Sequence, residues 1–237
     1  MQEDGTYETL LVQILQTNLL TYLGYKMLKE LDFRELKKEF SLDFKGLIQV
    51  GSFVSKEFSI LKELGMTDFI LIDANPNIME QLLKNVDENC KVLNELISDE
   101  DYKLYTFNIA NHTQSSSMLK FDKHKKYYPT MSDVVDTIEL TSVTLDTLIK
   151  RENININNFN TLMMDVQGAE IFVLKGFKEN ISNIDYIYTE LNFDSMYEGC
   201  MLEPEFTQYL NGLGFNLVKY FDTGFGWGDG LYIRGGK

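Results

Sequence analysis

From residue 46 onward the chain alternates short apolar runs with segments that carry helix signals, and few architectures accept that order. Leu47-Ile48-Gln49-Val50, Phe69 to Asp73, Lys91 to Ile97, Thr161 to Met164 and Ile184 to Phe193 read as strands. Phe58 to Leu64, the segment after Asn75-Pro76, Thr144 to Lys150, Glu170 to Phe177 and Glu203 to Leu213 read as helices. Asn75 is a cap with Pro76 in the first turn, and Gly65 takes the position of a left-handed C-cap. Such alternation predicts a largely parallel α/β sheet with helices on both faces. The last two runs, Phe215 to Phe221 and Gly230 to Ile233, are joined by a short Gly/Trp/Asp loop and predict an antiparallel pair at one edge. Two further β-rich segments, Tyr102 to Ile109 and Asp136 to Val143, frame a polar stretch from Asn111 to Ser132. Irregular inserts of that length in a compact domain are functional or disordered.

Upstream, residues 7 to 40 have helical spacing, carried by Leu10, Leu11, Ile14, Leu15, Leu19, Tyr22, Leu23 and Met27 and interrupted at Gly24. Residues 1–44 are therefore expected to form an N-terminal helical extension and residues 45–237 the sheet domain. The extension would cap the sheet or cover a substrate mouth; pairing with a second copy in a homodimer is the alternative.

Composition narrows the function classes. With 36 acidic against 22 basic side chains, the net charge of −14 repels a phosphate backbone and argues against nucleic acid. Cys90 and Cys200 lack paired spacing, so neither a disulfide framework nor a metal site is expected. No apolar run reaches bilayer length, and the acidic start Met-Gln-Glu-Asp lacks a targeting pattern, so the expected location is cytoplasmic. The basic run Lys120 to Lys126 is short and reads as a solvated loop, with a contact to an acidic or sugar ligand as the alternative.

Chemistry concentrates at strand ends. Asp165 follows the apolar Leu162-Met163-Met164 and precedes Val166-Gln167-Gly168-Ala169-Glu170; a carboxylate there is costly unless it has a use. Glu170 reads as a residue favouring a helix start, the other reading being a second carboxylate that orients or deprotonates a substrate hydroxyl. Glu190 and Asn192 alternate on one strand and share a face, with Glu190 either functional or a salt-bridged strand-end residue. Gly51 lets a ligand approach the backbone, and Asp73 follows 22 positions later, close to the roughly 20 expected of a carboxylate on a ribose diol. The glycines of a pyrophosphate cradle are absent after Gly51. His112 and His124 lie in the polar insert, where either could serve as a base or stay solvated.

Taken in order, Gly51, Asp73-x-Asn75-Pro76, Gln114-Ser115-Ser116-Ser117-Met118-Leu119, Val143-Thr144-Leu145-Asp146, Asp165 to Glu170 and Trp227-Gly228-Asp229 resemble the FkbM-type methyltransferases. The resemblance covers residues 45 to 235. It implies a Rossmann-like class I methyltransferase sheet, S-adenosyl-L-methionine as cofactor, and transfer of a methyl group to a hydroxyl of a sugar or glycan. It further implies that Gln49, Gly51, Ser52 and Phe53 meet the methionine part of the cofactor. Asp73 would take the ribose hydroxyls, with Ala74 and Asn75 beside it, and Ile97 and Ser98 would border the adenine. Asp165 would lie beside the transferable methyl, with Asp165 or Glu190 receiving the acceptor's proton. Ser116, His124, Asn192, Tyr197, Trp227 and Asp229 would form the acceptor pocket, drawn from the insert 111–132 and the loop 194–202. The chain departs from the family pattern at the first motif, where Gln49 replaces an acid and Phe53 and Ser55 replace asparagine and glycine. Two other readings remain open: a nicotinamide-dependent oxidoreductase, supported by Asp73, and a non-catalytic Rossmann-like binding module.

Overall fold

A computed structural model describes residues 31–236. Its main sheet runs β3-β2-β1-β7-β8-β10-β9. These strands are β1 (Gly46–Val50), β2 (Asp68–Asp73), β3 (Cys90–Asn94), β7 (Thr161–Met164), β8 (Tyr186–Asn192), β9 (Phe215–Asp222) and β10 (Trp227–Arg234). Every pairing from β3 to β8 is parallel, and β10 is antiparallel to both neighbours. A second, three-stranded sheet is formed by β4 (Leu96–Ile97), β5 (Leu104–Ala110) and β6 (Val134–Val143).

Strand alternation sends neighbouring side chains to opposite faces, and both faces are covered. Ile48, Val50, Ile70, Ile72, Leu162 and Met164 face one layer, which holds α5 (Leu145–Arg151), α6 (Glu170–Lys175) and α7 (Glu203–Gly212). Leu47, Phe69, Leu71, Met163 and Tyr188 face the other, with α1 (Phe33–Phe40), α2 (Phe58–Glu63) and α3 (Met79–Asn85). A short α4 (His124–Tyr127) lies in the insert. Helix ends follow local chemistry. Asp32 caps α1 by accepting from the Arg34 N–H at 2.7 Å, Thr144 caps α5, and Gly65 closes the α2 turn at φ +101°.

The expected strand Lys91 to Ile97 divides at Glu95, whose N–H donates to the Asp73 carbonyl at 3.1 Å. Leu96 and Ile97 then leave the main sheet to pair with Ser142 and Val143. The insert 111–132 is built rather than irregular: it holds α4 and a one-turn helix at Thr113–Ser115. Trp227-Gly228-Asp229 forms the start of β10 and not a loop; Gly224 and Gly226, both at positive φ, take the reversal. Of the helical expectation for residues 7 to 40, α1 supplies the last part, and Leu10 to Met27 lie outside the described residues. Helix α1 packs on the sheet domain, with Leu36 buried and the Phe33 ring tilted against that of Tyr188, centroids 4.8 Å apart.

Two glycines at positive φ separate strain from space. A Cβ at Gly51 would meet the Asp165 carbonyl oxygen at 1.8 Å, whereas one at Gly65 would meet nothing within 4 Å. Gly65→Ala is expected to cost about 1–2 kcal/mol, the left-handed penalty alone. Gly51→Ala adds a backbone clash and is expected to cost more than about 3 kcal/mol by denaturant unfolding. Equal losses for the two variants would refute the close approach.

Candidate active site

The strand order reverses between β1 and β7, and in open α/β sheets ligands collect beyond the carboxyl ends of the strands at such a point. Val50 and Met164 are paired there, so the residues that follow them, Gly51 and Asp165, emerge side by side. After Gly51 (φ +78°), Phe53 and Ser55 both adopt φ +44° without being glycine. The turn is held by the Phe53 N–H donating to Asp73 Oδ2 at 2.8 Å and the Ser55 hydroxyl donating to Gln49 Oε1 at 3.1 Å. After Asp165, Gln167 is left-handed at φ +57°. Gly168 follows at φ +90°, where a Cβ would sit 2.9 Å from the Tyr197 ring. The Glu170 carboxylate folds back to accept from the N–H groups of Val166 (3.0 Å) and Gly168 (3.2 Å). Glu170 is 3% exposed, and burial pushes its carboxyl up to about 7. It closes the turn rather than facing a ligand, in keeping with the structural reading of this residue.

Two cavities open here and share Gln114, Asp165 and Gln167. The inner one runs from Gly51 and Phe53 past Asp73, Ala74 and Asn75 to an apolar end at Leu96, Ile97, Phe107 and Met118. Asp73 receives one backbone N–H on each oxygen, from Phe53 and from Asn75 at 2.9 Å, leaving each oxygen further accepting capacity. Asn75 Oδ1 accepts from the Asn77 N–H, while its buried Nδ2 has no partner among the described residues. The wider cavity has a volume of about 760 Å³. Its walls include Phe33, Tyr128, Tyr188, Tyr197 and Trp227, and its carboxylates include Glu57, Glu190 and Asp229.

The insert and the 194–202 loop meet along one wall of this wider cavity. The N–H groups of Asp122 and His124 donate to the Met196 carbonyl, that of Lys123 to Ser195, and that of Glu198 to Lys120. Lys123 pairs with Asp194 at 2.7 Å, and the Tyr127 hydroxyl donates to the same carboxylate at 2.9 Å. Those contacts hold the Asp194 carboxyl well below the usual range.

Gln167 ties the junction together. Tyr197 donates its hydroxyl to Gln167 Oε1 at 2.5 Å, which fixes the amide so that Nε2 donates to Asp165 Oδ1 (2.6 Å) and Glu190 Oε2 (2.9 Å). Asp165 is reachable by solvent through the cavities but is surrounded by protein, and the resulting desolvation raises its pKa. Glu190 is 8% exposed and is raised well above the ordinary carboxylate value by burial and then by Asp165, Glu170 and Asp229. Asp229 is its direct cross-strand partner. Two carboxylates that share one amide cannot both ionise easily, so they titrate as a pair, with Glu190 the later to lose its proton.

Of the sequence candidates, Gly51, Phe53, Asp73, Ala74, Asn75, Ile97 and Asp165 line the inner cavity, and Glu190, His124, Tyr197, Trp227 and Asp229 line the wider one beside Asp165. Ser116 lines the inner cavity and not the wider one, and its hydroxyl accepts from the Ala110 N–H. Gln49, Ser52, Ser98 and Asn192 are buried and line neither cavity. Gln49 supports the turn through Ser55, Ser98 Oγ lies 3.1 Å from the Tyr105 hydroxyl, and Asn192 is covered by a bridge to Leu202. Gln167 had no role assigned from sequence. Its signal was an amide placed between a strand-end carboxylate and a glycine. The Val143 to Asp146 element is structural: Asp146 accepts from the N–H groups of Lys178, Glu179 and Asn180.

No curated protein matches the chain. Among solved structures, it resembles TrmK of M. capricolum in complex with S-adenosyl-homocysteine, at 11% identity and TM-score 0.48, covering 88% of this chain and 70% of that one. An Aquifex aeolicus SAM-dependent methyltransferase aligns at 14% identity and TM-score 0.47, over 85% of this chain and 88% of its own. The magnesium protoporphyrin IX methyltransferase of Synechocystis aligns at 10% identity and TM-score 0.45, over 99% and 86%. The family model for the Methyltransferase FkbM domain matches residues 49–217, more than two thirds of the chain and every strand from the end of β1 to the start of β9. The chain therefore belongs to the FkbM methyltransferase family, a family of S-adenosylmethionine-dependent enzymes on a Rossmann-like sheet.

Proposed function

We propose that this methyltransferase acts on oxygen, methylating a hydroxyl of a neutral sugar or glycan. The observation that carries the reading is the position of Asp165, the carboxylate that lines both cavities. Family membership replaces the nicotinamide reading. The inner cavity suits S-adenosylmethionine on its chemistry. Asp73 retains accepting capacity for a diol, Asn75 Nδ2 is a buried donor in want of an acceptor, and Ile97, Phe107 and Met118 offer an apolar bed for a purine. When bound, the cofactor supplies an electrophilic methyl group on a sulfonium. The acidic lining favours that cation.

Aromatic walls interleaved with carboxylates favour sugar rings, whose apolar faces stack and whose hydroxyls donate. At about 760 Å³ the wider cavity is of ordinary size for a small-molecule site. Its acidity and the −14 net charge disfavour anionic acceptors. In this reading the acceptor hydroxyl rests against Asp165, whose direction is fixed by the Gln167 amide. The Asp165 carboxylate would receive the hydroxyl proton as the methyl leaves the sulfonium sulfur, which becomes a neutral thioether, for the acceptor oxygen. Glu190, which keeps its proton longer, holds the other amide hydrogen and keeps Gln167 from swinging. Most of the acceleration comes from aligned, water-poor positioning.

S-Adenosylhomocysteine at 100 times its Kd is expected to add about 2.7 kcal/mol, a rise of roughly 5–10 °C in melting temperature, while NAD leaves it unchanged. No shift with S-adenosylhomocysteine, or an equal shift with NAD, refutes the assignment of the inner cavity. Asp165→Asn is expected to lower methyl transfer at least about 100-fold with S-adenosylhomocysteine binding retained. Transfer at the wild-type rate in that variant would sink the base role. Because burial raises the Asp165 carboxyl, its basic form is lost on acidification at a pH above the ordinary carboxylate value of about 3.9. The acid limb of kcat/KM against pH should therefore have its midpoint above that value, and a limb at or below it contradicts the desolvated base. A chain that binds the cofactor product yet labels no hydroxyl in a neutral-glycan panel would be a binding module.

A further inference from the structure

One wall of the wider cavity carries a pocket residue, His124, to which the methyl-transfer step assigns no role. His124 is held among three aromatic rings, with centroids 4.6 Å from Phe121, 5.1 Å from Tyr128 and 5.7 Å from Tyr197. Its Nδ1 lies 2.6 Å from Ser132 Oγ, and that hydroxyl lies 2.6 Å from the Tyr128 carbonyl oxygen. A serine hydroxyl has one hydrogen, and a carbonyl only accepts. The Ser132 hydrogen therefore goes to Tyr128, and the proton between Ser132 and His124 must reside on Nδ1. In a neutral imidazole so protonated, Nε2 carries a lone pair. Desolvation, reinforced by His112, lowers the imidazole pKa to about 4, so the neutral form holds through the physiological range. The side chain lines the wider cavity, and among the described residues Nε2 has no hydrogen-bond partner.

We propose that His124 Nε2 is a recognition point for a second hydroxyl of the acceptor, so that this cavity takes a polyhydroxylated ligand held at two hydroxyls. The inference rests on the acceptor reading of the wider cavity given above. Asp165 receives the hydroxyl that becomes methylated, and His124 accepts from another that does not. A lone pair at this point discriminates by sign. A hydroxyl donates to it, whereas an ether, ketone or acyl oxygen at the same ligand position presents a second lone pair and is repelled. An acceptor already alkylated at the second hydroxyl is consequently a poor substrate, which places methylation at Asp165 ahead of any capping of that neighbour.

The test has two arms on the full chain. Nitrogen-15 spectra of the histidine rings, assigned with a His112→Asn variant, are expected to report the neutral Nδ1–H form of His124 between about pH 6 and 8, the span set by the lowered pKa. An Nε2–H form or an imidazolium in that span overturns the proposal without need of any acceptor. In the second arm, His124→Phe retains the aromatic packing and removes the lone pair. For an acceptor found in the neutral-glycan panel, its kcat/KM is expected to fall about tenfold, carried mainly by KM, with S-adenosylhomocysteine binding and melting temperature as folding controls. A deoxy analogue lacking the second hydroxyl is expected to be poor with the wild type and insensitive to His124→Phe. Methyl transfer with an unchanged acceptor KM in the variant overturns this proposal alone. Cofactor binding with no hydroxyl methylated anywhere in the panel overturns the acceptor reading and this inference with it.

Discussion

A side chain at position 51 would put its Cβ 1.8 Å from the Asp165 carbonyl oxygen, so the two loops that build the site touch through backbone alone. The parallel pairing of β1 with β7 brings them together, and the Asp165 N–H donating to the Val50 carbonyl at 3.0 Å carries that pairing one residue beyond the strands. Because both faces of the sheet are packed, neither strand can slide to relieve pressure at this point. The inner cavity's glycine turn and the carboxylate at the cavity junction are thus set by one contact, and the remaining site residues are placed relative to it.

Around that contact the backbone carries unusual strain. Phe53, Ser55 and Gln167 are left-handed without being glycine, a conformation that persists only where neighbours enforce it. Phe53 is enforced by its N–H bond to Asp73, and Ser55 by its hydroxyl bond to Gln49. Gln167 is enforced by three side-chain partners at once. At Phe53 and Ser55, side-chain bonds thus hold a left-handed path that glycine follows without help.

The fold was legible because its signals are local and repeat: apolar runs of strand length, the Asn75-Pro76 cap and glycines after helices each act within a few residues. Strand order and the sheet's reversal lie beyond that reach, as does the departure of Leu96-Ile97 into a second sheet, since they depend on which distant strand completes the hydrogen bonds. In the candidate site, the carboxylates that interrupt apolar runs, Asp165 and Asp73, both line the inner cavity. Burial sets other polar candidates apart from the cavities. Gln49, Ser98 and Asn192 sit at strand ends as ligand-facing residues do, yet each is sealed inside. Gln167 is not legible in the sequence because its three side-chain partners lie up to 30 positions away, which no short window contains.

The seam between the insert and the 194–202 loop has an evolutionary consequence. Four backbone hydrogen bonds and the Asp194 ion pair join segments that are about 75 residues apart in the chain, and both face the wider cavity. Exchanging either segment by itself would strand those bonds, so neither is a free unit of variation. A new shape for the wider cavity would have to arise by coordinated drift on both sides of the seam. In a designed chimera the two pieces would have to be transplanted together as a single cassette.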